Sequence, residues 1–214
     1  MVPPTVWLKT VQDEGWSMIK RREFLACCVV VLMTMPGARA ETLVDDAGTF
    51  ITSMADKAIA ALTEEGISRE QRVARFRVLL NENFAVKTIG RWVLGRYWRK
   101  ATYAERAEYL RLFENLIVTS YVDRFERYSG ETLTVTKTVV KKSGDAIVYS
   151  QITRSRGVRP IKVNWRVRTK EGKYKIVDVI VEGISMGQTQ RSEFASVIRK
   201  NGGNVSGLLM ELRK

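Results

Sequence analysis

The chain has 214 residues, with 36 lysines and arginines against 23 acidic residues, a formal net charge of +13, two cysteines and no histidine. That length suits one domain with a real core, and the missing imidazole excludes Ser-His-Asp and Cys-His catalysis together with the usual zinc and iron sites. The positive charge points to nucleic acid, an anionic lipid surface or an acidic partner protein.

Residues 1–40 carry the parts of an export signal in order. Lys20, Arg21 and Arg22 form a basic start, and Phe24 to Met33 is an uncharged, mostly apolar run apart from Ala26, Cys27 and Cys28. The run is too short for a membrane-spanning helix of roughly 20 residues. Pro36-Gly37 then breaks any helix, and Ala38-Arg39-Ala40 puts small residues at both positions a signal peptidase reads, so cleavage is expected before Glu41. The stretch ahead of Met18 serves no evident targeting purpose, which makes Met18 a second candidate initiator. Arg21-Arg22-Glu23-Phe24-Leu25 resembles a twin-arginine (Tat) export motif, while an ordinary Sec signal with two arginines fits equally well. Leu25-Ala26-Cys27 resembles the end of a lipobox, but a lipidated cysteine must follow the apolar run, and these cysteines open it. Both cysteines therefore leave with the signal, and residues 41–214 form a single domain without disulfides, thiol catalysis or cysteine metal sites. Export also argues against a nucleic-acid partner.

Within that domain Leu43, Ala47, Phe50, Ile51, Met54, Ala58, Ile59 and Leu62 recur at helical spacing and predict a helix from Thr42 to Glu64, ending at Gly66. Ser68 with Gln71 forms a capping box for a second helix reaching Asn81, with Val73, Phe76, Leu79 and Leu80 inward. Phe84 to Arg99 reads as short helices broken near Gly90 or Gly95. Thr102 with Glu105 opens the longest helix, Tyr103 to about Tyr128, whose inner stripe holds Leu110, Phe113, Leu116, Ile117, Val118, Tyr121 and Phe125.

At Ser129-Gly130 the period changes to that of strands. Glu131 to Lys142, Ala146 to Arg154, Arg159 to Thr169 and Tyr174 to Glu182 predict an antiparallel meander. In the third strand Ile161, Val163, Trp165 and Val167 alternate with Lys162, Asn164, Arg166 and Arg168, one face apolar and the other positive. Helices return around Gln190 to Lys200 and Asn204 to Leu212. The expected fold is α+β, with a four-stranded, curved antiparallel sheet covered by helices on one face. A curved sheet facing helices can enclose a cavity.

Asp178-Val179-Ile180-Val181-Glu182-Gly183-Ile184-Ser185, then Arg191-Ser192-Glu193-Phe194, Ile198, Gly203, Leu208 and Leu212, resembles the closing motif of the toluene-tolerance family, the periplasmic phospholipid-binding proteins called MlaC. Phe84, Leu94-Gly95-Arg96-Tyr97-Trp98-Arg99, Phe113 and Tyr121 match that family's middle segment. The resemblance spans nearly the whole of residues 41–214. It departs at Gly187 to Gln190, where Thr189-Gln190 stands in place of an Asn-Tyr pair. A related branch is associated with hopanoid biosynthesis, and the sequence does not separate the two.

The resemblance implies a periplasmic carrier that shuttles a phospholipid between an outer-membrane lipoprotein complex and an inner-membrane ABC transporter with its lipid-binding ring, touching membrane surfaces transiently. It implies no cofactor, the phospholipid being cargo. The acyl chains would lie in an apolar cavity between sheet and helices. The residues expected on its wall are Leu94, Trp98, Phe113, Ile117 and Tyr121 from the helices, Val135, Val148, Ile152, Val163, Trp165 and Val167 from the sheet, and Ile184, Met186 and Phe194 beyond it. Each strand residue could equally be plain core. Tyr97, Trp98 and Tyr121 could border a pocket mouth or staple helices together. Arg191 with Glu182 is expected as a structural ion pair in preference to a headgroup contact. Lys162, Arg166 and Arg168 form a solvated face that, if it acts, attracts anionic membranes or acidic partners. An enzyme on a similar scaffold is the rival reading, with Asp178 and Glu182 as its best carboxylates. They share a strand face but have no histidine or thiol beside them.

Overall fold

The computed structural model describes residues 37–141, 143–154, 159–170 and 172–214. The expected export signal therefore lies outside the described residues except for its last four. Helix α1 spans Gly37–Leu62, starting ahead of the expected Thr42 and running through the bond where cleavage is expected. Ala38 and Ala40 favour the helix, and nothing after Pro36 interrupts it.

Helix α2 spans Arg69–Asn83 and opens on the expected capping box, with the Gln71 N–H donating to Ser68 Oγ and the Ser68 N–H to Gln71 Oε1. Thr102 and Glu105 form the same reciprocal pair ahead of α5, Tyr103–Glu126. Each box satisfies two of the amide donors that a helix start leaves without partners.

Between them lie α3, Val86–Leu94, and α4, Tyr97–Lys100. The break falls at Gly95, whose φ of 58° and ψ of −127° suit glycine and strain any other residue. Gly90 stays inside α3 for a different reason. A Cβ there would stand 2.9 Å from Leu110 Cδ2 and 3.0 Å from Phe113 Cδ1, so the missing side chain lets α3 approach α5 closely. Tyr109 Oη donates to the Gly90 carbonyl at 3.0 Å across the same contact.

Strands β1, Thr132–Val140, β2, Ala146–Thr153, β3, Ile161–Lys170, and β4, Lys173–Val181, pair antiparallel in sequence order. The sheet has one more strand than expected, the two-residue β5, Ile184–Ser185. Glu182 and Gly183 both take positive φ, 49° and 86°, the requirement of a tight two-residue hairpin turn. That turn brings Ser185 back beside Ile180 and Ile184 beside Val181. Helices α6, Met186–Lys200, and α7, Val205–Leu212, complete the fold.

The apolar residues separate into two cores. Leu94, Tyr109, Phe113, Phe194, Ile198 and Leu208 fill a helical core. Ala47 and Ile51 of α1 pack against Ala146, Val148, Val167 and Ile176 in a sheet-side core. Phe84 packs against both. The adjacent Ala85 N–H donates to the Ile176 carbonyl at 2.9 Å, covering a stretch of the β4 edge that short β5 does not reach. A cleft remains where the two cores fail to merge.

Candidate functional site

The cleft has a volume of about 500 Å3, within the range of ligand-sized pockets. Helix α1 contributes Met54, Ala58 and Leu62, and α2 contributes Phe76, Leu79 and Leu80. Phe84, then Ile89 and Val93 of α3, continue the wall to Phe113, Ile117, Tyr121 and Phe125 of α5. The sheet supplies Trp165, Val179 and Val181. The Trp165 indole N–H donates to Ser150 Oγ at 3.0 Å, which satisfies its one polar atom.

The polar side of the lining is Asp178 together with Thr189, Gln190 and Glu193 of α6, beside Met186 and Gly187. Asp178 holds this side in place. Its Oδ2 accepts the Ser185 hydroxyl at 2.7 Å, and its Oδ1 accepts the N–H of Val179 at 2.9 Å and of Gly187 at 3.2 Å. Ser185 Oγ in turn accepts the Gln188 N–H and caps α6. A Cβ on Gly187 would stand 2.9 Å from the Trp92 ring and 3.1 Å from Asp178 Oδ1, so only glycine fits without displacement.

Of the expected wall residues, Phe113, Ile117, Tyr121, Trp165 and Met186 line the cleft. Leu94 and Phe194 lie in the helical core, with Trp98 packed against it and lying under the Arg91 and Arg106 guanidiniums at 5.8 and 5.4 Å. Val135, Val148 and Val167 belong to the sheet-side core. Val163 is buried, paired with Ser150 and Val181 on the flanking strands. Ile152 is half-buried, and Ile184 is 60% exposed. Alternation identifies the inner face of a strand but not the part of that face a helix covers, and α1 packs chiefly against β1 and β2. The contribution of α1 and α2 was legible only as two apolar stripes, indistinguishable from ordinary core.

Three electrostatic expectations change. Arg191 does not pair with Glu182. Its Nη1 donates to the Trp92 carbonyl at 3.1 Å, while Glu182 Oε1 accepts the Lys162 N–H at 2.7 Å. The turn sets Glu182 against β3, whereas α6 carries Arg191 against α3. Asp178 and Glu182 therefore do not act as a pair either, since Glu182 lies beyond the strand end. Finally, the positive strand face is partly neutralised. Asp145, 2% exposed, accepts Arg166 Nε at 2.7 Å and Arg168 Nε at 2.8 Å. The Arg168 hydrogen bond, with help from Arg166 and against the effect of burial, holds the Asp145 carboxyl below its ordinary range. In the helical core burial pushes the Tyr109 phenol above the usual tyrosine range, so it remains a neutral donor.

Among the described residues no group of three or more acidic or cysteine side chains could hold a metal ion, and no helix is long and apolar enough to cross a membrane. Fold and cleft define an α+β domain with an apolar pocket between a helical layer and an antiparallel sheet. The chain belongs to the MlaC protein family, whose model matches residues 52–214. It is 26% identical over 118 residues to the intermembrane phospholipid transport system binding protein MlaC of Haemophilus influenzae, covering 53% of this chain and 54% of that one. It is likewise 26% identical over 111 residues to the toluene tolerance protein ttg2D of Pseudomonas putida, covering 51% of each. The chain thus spans about half the length of the curated relatives it matches. A phospholipid-binding protein from Ralstonia solanacearum, solved in complex with a phospholipid, shares the fold with a TM-score of 0.69 at 20% identity, over 78% of this chain and 94% of that one.

Proposed function

We propose that this protein is a periplasmic carrier that holds the acyl chains of a phospholipid in the cleft and leaves the headgroup at the polar side formed by α6. The observation that carries this reading is the cleft's composition: an aliphatic and aromatic wall from six elements, with polar groups on one side only. Each methylene taken from water contributes roughly 0.8 kcal/mol. Two acyl chains therefore need shape-tolerant apolar walls and no catalytic group. The carrier reading is favoured over an enzyme because three donors already occupy the Asp178 oxygens and Glu182 stands apart in its turn.

The carrier is made with a signal over residues 1–40, removed before Glu41 after Sec or Tat export. It exchanges its lipid with an inner-membrane ABC transporter and its lipid-binding ring, and with an outer-membrane lipoprotein complex. The names of the Haemophilus and Pseudomonas relatives and the phospholipid in the Ralstonia protein support the same reading. Native mass spectrometry of the purified protein tests it. A co-purifying two-chain phospholipid is expected. A hopanoid mass would move the chain to the related branch, and the absence of any lipid, before and after incubation with vesicles, would overturn the proposal.

A further inference from the structure

A second, smaller cleft of about 250 Å3 shares only Val93 with the apolar one. Arg96, Tyr97, Arg191 and Arg199 line it around Gly95 and Ala195, and no acidic side chain does. Three guanidiniums facing one small space repel each other unless an anion lies between them.

The arrangement is built into the fold. Arg191 is held by its bond to the Trp92 carbonyl and lies over the Trp92 ring at 5.2 Å. Its guanidinium also fills the notch at Gly95, where a Cβ would stand 3.0 Å from Nη2. Gly95 is thus required twice, by its backbone angles and by this close approach. Arg96 lies over the Tyr97 ring at 5.0 Å and donates to the Tyr97 hydroxyl at 3.0 Å. That hydrogen bond is the main reason the phenol's pKa is drawn below its usual value, and the charges of Arg96 and Arg199 add to it. Arg191 spends one donor on Trp92 and keeps the rest of its fork. Guanidinium forks of this kind match the oxygen geometry of phosphate.

We propose that this cleft is an oxyanion site for a phosphate group, supplied by lipid headgroups at a membrane surface or by free phosphate. It stands apart from the apolar cleft and does not depend on the identity of the cargo. The test follows tryptophan fluorescence of the purified protein while inorganic phosphate is added, against chloride at matched ionic strength. A saturable response to phosphate alone is expected. Arg96 and Arg199 are both exposed, so the double variant Arg96→Gln/Arg199→Gln should keep the fold, checked by circular dichroism. It should weaken phosphate binding at least tenfold and leave bound-lipid content unchanged.

No saturable response, or an equal response from the double variant, overturns the proposal. Flotation with phosphatidylglycerol vesicles separates the two sources. Vesicle binding that phosphate displaces, and that the double variant lacks, assigns the site to headgroup phosphate. Phosphate saturation without such competition assigns it to the free ion. Loss of co-purifying lipid with phosphate binding intact bears on the carrier reading alone.

Discussion

The carboxylate of Asp178 accepts the Ser185 hydroxyl at 2.7 Å and thereby ties β4 to the residue that caps α6. The same carboxylate takes the Gly187 N–H, so one side chain joins β4, β5 and α6 beside the cleft. Asp178→Ala leaves these donors without their partner and should destabilise the fold by about 1–3 kcal/mol. A lowered midpoint of urea unfolding checks this. An unchanged midpoint would mean that the junction is held by packing alone.

Ile117 lines the cleft and is half-buried. Ile117→Glu should fold, because the carboxylate can be hydrated from the cleft, and should lose co-purifying lipid, because a charge among acyl chains is poorly solvated. Val163→Glu should behave differently. That side chain is 5% exposed within the sheet, so its substitution should lower thermal stability before it affects cargo. Stoichiometric lipid on a folded Ile117→Glu protein would place the acyl chains elsewhere.

Gly90→Ala should lower stability by about 1–3 kcal/mol, the usual effect of overpacking. The added Cβ meets Leu110 and Phe113 at about 3 Å, and α3 and α5 must separate to admit it. Loosening of α3 should also weaken the Tyr109–Gly90 hydrogen bond. Calorimetry of the variant beside Tyr109→Phe would show whether the two losses are shared or additive.

Asp145 gives stability an acid dependence. Its carboxyl is held below the ordinary value of 3.8 in the fold. The stabilisation is therefore complete above that value and lost as pH falls through the lower, folded one. Asp145→Asn should be less stable at neutral pH and show a flatter decline below about pH 4. Replacing Arg166 and Arg168 together by Gln should also destabilise the protein, since it leaves the buried Asp145 without its cations. If that double variant kept full stability and only slowed transfer to anionic vesicles, the strand face would be a docking surface after all.

Local signals in the sequence determined most of the architecture. The two capping boxes, the change of period at Ser129-Gly130 and the turns between strands depend on contacts a few residues apart, and they placed α2, α5 and the meander close to where they lie. The break near Gly90 or Gly95 was visible too, but only the packing of α3 on α5 shows why Gly90 stays helical and Gly95 does not.

The cleft was decided by tertiary structure. Phe113, Ile117, Tyr121, Trp165 and Met186 were within reach of sequence reasoning, whereas Val148 and Val167 have the same chemistry and pattern and lie beneath α1 instead. Periodicity states that a face is apolar. Whether that face meets another element or an open space depends on how α1 crosses the sheet and where Phe84 docks on β4, contacts between residues far apart in the chain. The same holds for charge: Arg168 and Arg191 are alike in sequence, yet the fold gives one a buried carboxylate and the other a cleft whose remaining charged residues are the arginines Arg96 and Arg199.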